Sequence, residues 1–330
     1  MRRREFIALI GGAAASPILW PPAARAQPRT MPIIGFLCSG SADAFAPQVA
    51  AFRDGLKQAG YVDGQNVAIE FAWAEGRYDQ LPSLAAELVS RRVAVIAAVG
   101  GAVAGLAAKA ATSTIPIVVA IGDDPVKFGL VANLSRPGGN VTGVTLFIDI
   151  LAAKRVELLS EVAPAAAVAL VINPRNPNAD SEAKNAQAAA QQSGRDLRIL
   201  TASNEGEIDA AFAHLAQSPG AVALTIGTDT FFYSRRNQLV GLAARYAIPA
   251  IYFQRAFGLA GGLITYGATF TDEFRMAGQY AGRILAGERP TDLPILQPTK
   301  FELVINLKTA KTLGLAIPPS LLARADEVIE

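Results

Sequence analysis

His214 is the only histidine in the chain and Cys38 the only cysteine, which removes most of the usual apparatus of catalysis before any element is assigned. Metal sites built from His and Cys need more ligands than these two residues provide, and a disulfide within the chain needs a second thiol. His214 stands between Phe212 and Leu215 in a helical pattern, at a helix surface or edge rather than at a strand end, so a Ser-His-Asp triad lacks its base. The carboxylates offer more. Asp123, Asp124 and Asp229 each follow an apolar run, where a carboxylate is a charge-assisted acceptor for a ligand ammonium; the same residue type in the same place also caps turns and helices. Adjacent Asp123 and Asp124 point in different directions rather than across one substrate. The expectation is recognition without turnover: not an enzyme, with no cofactor and no metal.

Three further polar segments stand beside these carboxylates. In Gly100-Gly101-Ala102, glycines let backbone N–H groups approach a ligand, and the free donors of a helix's first turn favour a carboxylate or other anion. An ordinary tight turn from strand to helix fits the same residues. No Lys-Ser or Lys-Thr follows, so the segment is not a nucleotide-phosphate loop. Asn173, Asn176 and Asn178, stiffened by Pro174 and Pro177, offer amides that both donate and accept. Cys38-Ser39-Gly40-Ser41 is the third, and Gly122-Asp123-Asp124-Pro125 and Gly227-Thr228-Asp229-Thr230 hold the acids. Phe231, Phe232, Tyr233, Tyr252 and Phe253 flank these segments and suit either an apolar wall or the core.

The elements that must position these residues alternate between strand and helix. Ile33 to Leu37, Val67 to Phe71, Val93 to Val99, Ile117 to Ile121, Val168 to Ile172, Leu197 to Leu200 and Ala221 to Ile226 read as strands, with helical spacings between them. Runs apolar on both faces belong to buried parallel strands covered by crossover helices. In open parallel sheets a ligand sits beyond the carboxyl ends of the strands, which is where the five polar segments lie. About 300 residues exceed what one core usually supports, so two lobes are expected. The pattern restarts after Pro137-Gly138-Gly139-Asn140, taken as the first crossing between lobes; Leu263 to Gly267 and Gly287 to Pro298 suit a second and third. The expected lobes are residues 31–143 with about 267–290, and about 146–264 with about 296–330. An internal echo runs through Val93–Ile96 to Thr114-Ile115-Pro116-Ile117 and through Ala221–Leu224 to Ala247-Ile248-Pro249-Ala250, each a strand, a helix and a strand opened by proline; chance similarity among alternating apolar segments accounts for it equally well.

Arg2, Arg3 and Arg4, the short apolar stretch Ile7 to Ala15 and Ala24-Arg25-Ala26 have the form of an export signal over residues 1–26, cleaved near Ala26. Arg3-Arg4-Glu5-Phe6-Ile7 also fits the twin-arginine address. Glycine and proline interrupt this segment well short of the roughly 20 apolar residues that a membrane-spanning helix needs. Cys38 lies downstream in a strand-like run, as a small buried hydrophobe. The whole chain has 30 basic and 28 acidic residues; without residues 1–26 the balance is 26 against 27. A near-neutral mature protein lacks the concentrated basic surface that nucleic acid requires.

Several short segments, weak singly, are specific in order and spacing. Ile34-Gly35-Phe36, Phe52-Arg53-Asp54-Gly55-Leu56, the run from Glu75 to Pro82, Asp124-Pro125-Val126, the run from Arg136 to Gly143, Val171-Ile172-Asn173-Pro174 and the run from Leu303 to Lys308 carry the pattern. Almost end to end, the mature chain resembles ABC transporter substrate-binding proteins related to tryptophan- and tyrosine-binding periplasmic receptors. The resemblance implies an α/β, type I periplasmic-binding-protein fold: two doubly wound parallel-sheet lobes joined by a three-crossing hinge. It implies a periplasmic monomer that closes on a small polar or amino-acid-like solute and delivers it to the membrane permease of an ABC importer. Matching positions place ligand contacts at Ser39, Gly101, Ala102, Asp124, Asn173, Asn178, Thr228 and Asp229, to which the aromatic flanks add Phe253. Gly101-Ala102-Val103 departs from the hydroxyl residue and Pro-Ala usual in the aromatic-amino-acid receptors, and Thr230 stands where an amide is usual. The alternative is a secreted ligand-sensing subunit that reports occupancy of the same lobes to a membrane signalling receptor.

Overall fold

The computed structural model describes residues 31–330 apart from Ala165, Pro298 and Thr299; the export signal read over residues 1–26 lies outside the described residues. The first half alternates as β1 (Ile33–Cys38), α1 (Ala46–Gln58), β2 (Ala68–Trp73), α2 (Leu81–Ser90), β3 (Val95–Val99), α3 (Ala102–Ala111), β4 (Ile117–Ile121) and β5 (Val141–Thr145). Its five strands form a parallel sheet in the order β2-β1-β3-β4-β5. Every residue of β3, β4 and β5 is buried, the consequence of helices lying on both faces of a parallel sheet. Cys38 is fully buried at the end of β1, and burial pushes its thiol up to about 12, so it behaves as an unreactive core group.

The second half continues through α4 (Leu151–Val162), β6 (Ala167–Ile172), α5 (Ala179–Gln192), β7 (Leu197–Thr201), α6 (Glu205–Ala216), β8 (Val222–Ile226), α7 (Thr230–Ser234), α8 (Arg236–Arg245), β9 (Ala250–Tyr252), α9 (Arg255–Leu259) and β10 (Ile264–Ala268). α10 (Phe270–Leu285), β11 (Phe301–Asn306), α11 (Leu307–Thr312), α12 (Pro319–Leu322) and β12 (Glu327–Ile329) complete it. The second sheet runs β12-β11-β10-β9-β8-β6-β7. Strands β7-β6-β8-β9-β10 repeat the winding of the first sheet, all parallel, whereas β11 is antiparallel to β10. The chain leaves β10 for the first lobe and returns at the same end of the sheet, so β11 must run the other way.

Three segments join the lobes: the stretch after Thr145, the single residue Thr269, and the stretch leading into Phe301. Pro137–Asn140, read from the sequence as the first crossing, instead precedes β5, which pairs with β4 inside the first sheet. Asn140 is used there as a strut, its side-chain amide donating to the carbonyls of Thr112 and Ile115. The internal echo has a structural counterpart. Ile96 N–H donates to the Pro116 carbonyl at 2.9 Å and Leu224 N–H to the Pro249 carbonyl at 2.8 Å, each tying a strand to the proline that opens its neighbour.

α10 comes late in the chain yet packs along α1 in the first lobe. Two glycines allow the approach: a Cβ on Gly55 would sit 1.9 Å from the Arg275 carbonyl oxygen, and one on Gly278 would sit 2.1 Å from that of Phe52. Backbones that close leave no room for a methyl group. This docking fixes the first turn of α10, Phe270 to Phe274, where the two lobes meet.

Candidate functional site

In each sheet the first strand sends its successors to opposite sides, so a crevice opens beyond the carboxyl ends of β1 and β3 and again beyond those of β6 and β8. The two crevices face each other across a narrow slot with a cavity volume of ≈ 40 Å³, room for a few water molecules and below the usual range of about 300–1,000 Å³ for small-molecule sites, so its walls must part to admit a solute. Phe45, Tyr78, Gly101 and Asp123 line it from the first lobe, joined by Phe270, Glu273 and Phe274 of α10; Asn176, Thr228, Asp229, Thr230 and Phe253 line it from the second. Gly100 and Gly101 have φ of +83° and +100°, a left-handed conformation that glycine adopts without strain and that turns the chain from β3 into α3.

Asp229 is the hub of the closed arrangement. Its Oδ1 accepts from Asn173 Nδ2 at 3.1 Å and from the N–H groups of Phe231 and Phe232 at 3.0 and 3.3 Å. Its Oδ2 accepts from Asn176 Nδ2 at 3.0 Å and, across the slot, from the Tyr78 hydroxyl at 2.8 Å. Burial pushes the carboxyl up to about 6, against these donors, which favour the charged form. Beside it Thr230 Oγ1 lies 2.8 Å from Ser39 Oγ and donates to the Gly100 carbonyl at 3.1 Å. Gln48 Nε2 of α1 donates to the Tyr233 hydroxyl of α7 at 2.8 Å, and Phe45 meets the Tyr233 ring edge-on at 5.1 Å. These contacts hold the lobes together at one edge of the slot.

Another part of the lining is acidic. Asp123, at the end of β4, accepts the Ala102 N–H at 3.1 Å. Glu273 is 3% exposed, and its Oε1 has no hydrogen-bond partner in the protein. Burial first, and then the nearby Asp123 carboxylate, hold the Glu273 carboxyl well above its ordinary range. Among the described residues, no Lys, Arg or His lines the slot. A cation does lie behind its wall: buried Arg155 donates to Thr228 Oγ1 at 3.0 Å and pairs with Glu182. Glu182 Oε2 in turn accepts the Thr228 N–H at 2.8 Å, so this pair braces the loop after β8.

Of the residues singled out in the sequence, Gly100, Gly101, Asp123, Asn176, Thr228, Asp229 and Phe253 line the slot. Ser39 is fully buried and bonds to Gly100 and Thr230, joining the lobes rather than lining the space between them. Ala102 has its N–H taken by Asp123. Asp124 caps its own turn, its Oδ1 accepting from Val126 N–H at 2.9 Å and Lys127 N–H at 3.3 Å. Asn173 supports Asp229 from behind, and Asn178 is buried at the start of α5, outside the slot. Phe231, Phe232 and Tyr252 belong to the core, Tyr252 stacked on Phe257 at 4.8 Å. Tyr78 and Glu273 were not selected from their residue types. Tyr78 lies within one of the segments that carry the family resemblance, and Glu273 in the first turn of α10.

The sequence profile described as ABC transporter substrate binding protein matches residues 34–329. The chain belongs to that family. This substrate-binding protein is similar to the tyrosine-binding protein of Clostridioides difficile (strain R20291), with 28% identity over 266 residues, 80% of this chain and 75% of the relative. The structure of an ABC domain from Streptococcus pneumonia in complex with L-Trp overlays with a TM-score of 0.81 at 25% identity, covering 91% of this chain and all of the other. The ligand-free, open structure of a substrate binding protein with adhesive properties from Clostridium difficile gives 0.63 at the same 25% identity, covering 90% of this chain and 99% of the other. At equal identity and nearly equal coverage, the lower score against the open form accords with lobes that are closed here. Binding proteins of this family hold small molecules outside the cytoplasm and work with ABC permeases, and among the described residues no helix is long and apolar enough to cross a membrane.

Proposed function

We propose that this substrate-binding protein is exported to the periplasm, where as a monomer it closes on an amino-acid-like solute with a ring-sized apolar part and delivers it to the permease of an ABC importer. The observation that carries this reading is the slot itself, walled from both lobes by Tyr78 and Asp123 on one side and Thr228 and Asp229 on the other. A solute touching both walls favours closure, which contact with one wall alone does not. Five aromatic rings, of Phe45, Tyr78, Phe253, Phe270 and Phe274, line the slot, which suits a flat apolar group. The tyrosine-binding relative and the L-Trp complex support a solute of that shape. A thermal-shift screen of the mature protein against amino acids, aromatic acids, amines and small amides tests the reading. At least one such solute is expected to raise the melting temperature of the wild type and leave that of Asp229→Ala unmoved. Equal stabilisation of both proteins would remove Asp229 from the site, and a screen in which no solute acts would contradict the receptor reading.

A further inference from the structure

The acidic part of the slot lining narrows the solute class, granted that the slot is the solute site. An amino acid carries both a carboxylate and an ammonium, and a receptor must compensate each. The natural place here for the carboxylate is the N-terminus of α3, whose N-cap Gly101 brings no side-chain acceptor of its own to the donors of the first turn. Asp123 already occupies it: its Oδ2 accepts the Ala102 N–H and puts an acid side chain at the helix end. Among the described residues, no Lys, Arg or His lines the slot to offset a second anion, and Arg155, behind Thr228, is paired with Glu182. The requirement at the cationic end is the reverse. Glu273 is buried, lines the slot and has an oxygen with no protein partner; a buried acceptor left unpaired costs free energy that a ligand donor recovers. The rings of Phe45, Phe270 and Phe274 line the same space, and aromatic faces favour a cation beside them.

We propose that the solute is a ring-bearing primary amine without a carboxylate, an arylalkylamine, with its ammonium at Glu273 and Asp123 and its ring among Phe45, Phe253 and Phe270. The protein's own Asp123 stands where the carboxylate of an amino acid would be held. Selectivity against the zwitterion follows from that one side chain, because a like charge brought against it in a low-dielectric slot is repelled.

Titration calorimetry on the mature protein with matched pairs tests this directly: tyramine against L-tyrosine and tryptamine against L-tryptophan, with benzoate as the anion. At least one amine is expected to bind tenfold or more tighter than its amino acid, and benzoate not to bind. Glu273→Gln, which keeps shape and removes the group able to ionise against an ammonium, is expected to weaken the amine at least tenfold, and Asp123→Asn to narrow the gap between amine and amino acid. Tighter binding of either amino acid, or of benzoate, would overturn the amine assignment while leaving the receptor reading intact. Failure of every probe would count against both, and an amine bound equally well by Glu273→Gln would overturn the placement of its ammonium.

Discussion

Tyr78→Phe removes one hydroxyl from the centre of the interlobe contact and nothing else. That hydroxyl donates to Asp229 Oδ2 at 2.8 Å, lies 3.0 Å from Thr230 Oγ1 and accepts the Phe231 N–H at 3.3 Å. Once the lobes separate, water solvates all of these groups, so the loss falls on the closed form. A hydrogen bond to a charged group contributes about 1.5–3 kcal/mol net, and Asp229 Oδ2 keeps Asn176 as a second donor. The closed-to-open ratio should therefore fall roughly 10- to 150-fold. Apparent affinity falls with the closed population, by up to the same factor. Small-angle scattering of the variant without solute is expected to show a larger radius of gyration than the wild type, with unchanged far-UV circular dichroism. Calorimetry is expected to show weaker solute binding. A variant with the scattering curve and affinity of the wild type would refute the view that Tyr78 and Asp229 latch the lobes.

Other perturbations test the supports of the site. Gly278→Ala places a methyl group against the Phe52 carbonyl and is expected to cost about 1–3 kcal/mol or more by separating α10 from α1, seen as a fall in melting temperature of several degrees. Arg155→Ala strands the Glu182 carboxylate in the interior and is expected to cost about 3–5 kcal/mol in denaturant unfolding, whereas Glu182→Gln with Arg155→Met recovers much of it. The Glu273 carboxyl is raised in the folded protein by burial and by Asp123, with Asp229 and Tyr78 also lining the slot. The folded state then binds the proton more tightly than the unfolded chain, and stability falls as pH rises above about 4.5. Melting curves of Glu273→Gln are expected to lack that part of the decline between pH 5 and 8; parallel curves for the two proteins would contradict it.

Much of this arrangement is legible in the residues because strand ends in parallel sheets are marked twice, by an apolar run and by the polar turn that stops it. Gly100-Gly101 after β3 and Thr228-Asp229 after β8 were found that way, and both line the slot. The same marks do not say whether a polar group serves a ligand or its own turn. Asp124 and Asp123 are neighbours of one type, yet one caps a turn and the other faces the slot. Glu273 was invisible for a different reason. An acid in the first turn of a helix ordinarily complements the helix dipole at the surface, and the close approach of α1 and α10 backbones at Gly55 and Gly278, over 200 residues apart in sequence, carries this one into the interior. The crossing expected at Pro137–Asn140 failed because turn-forming residues mark any sharp reversal, here the approach to β5.

A crystal structure of the mature protein with its tightest-binding amine would examine the central claim at the level of atoms. The account predicts the ligand nitrogen within hydrogen-bonding distance, about 3 Å, of Glu273 and Asp123, with Tyr78 and Asp229 still bonded across the closed slot. An amine bound to one lobe alone, or turned so that its ring meets the two acids, would contradict it.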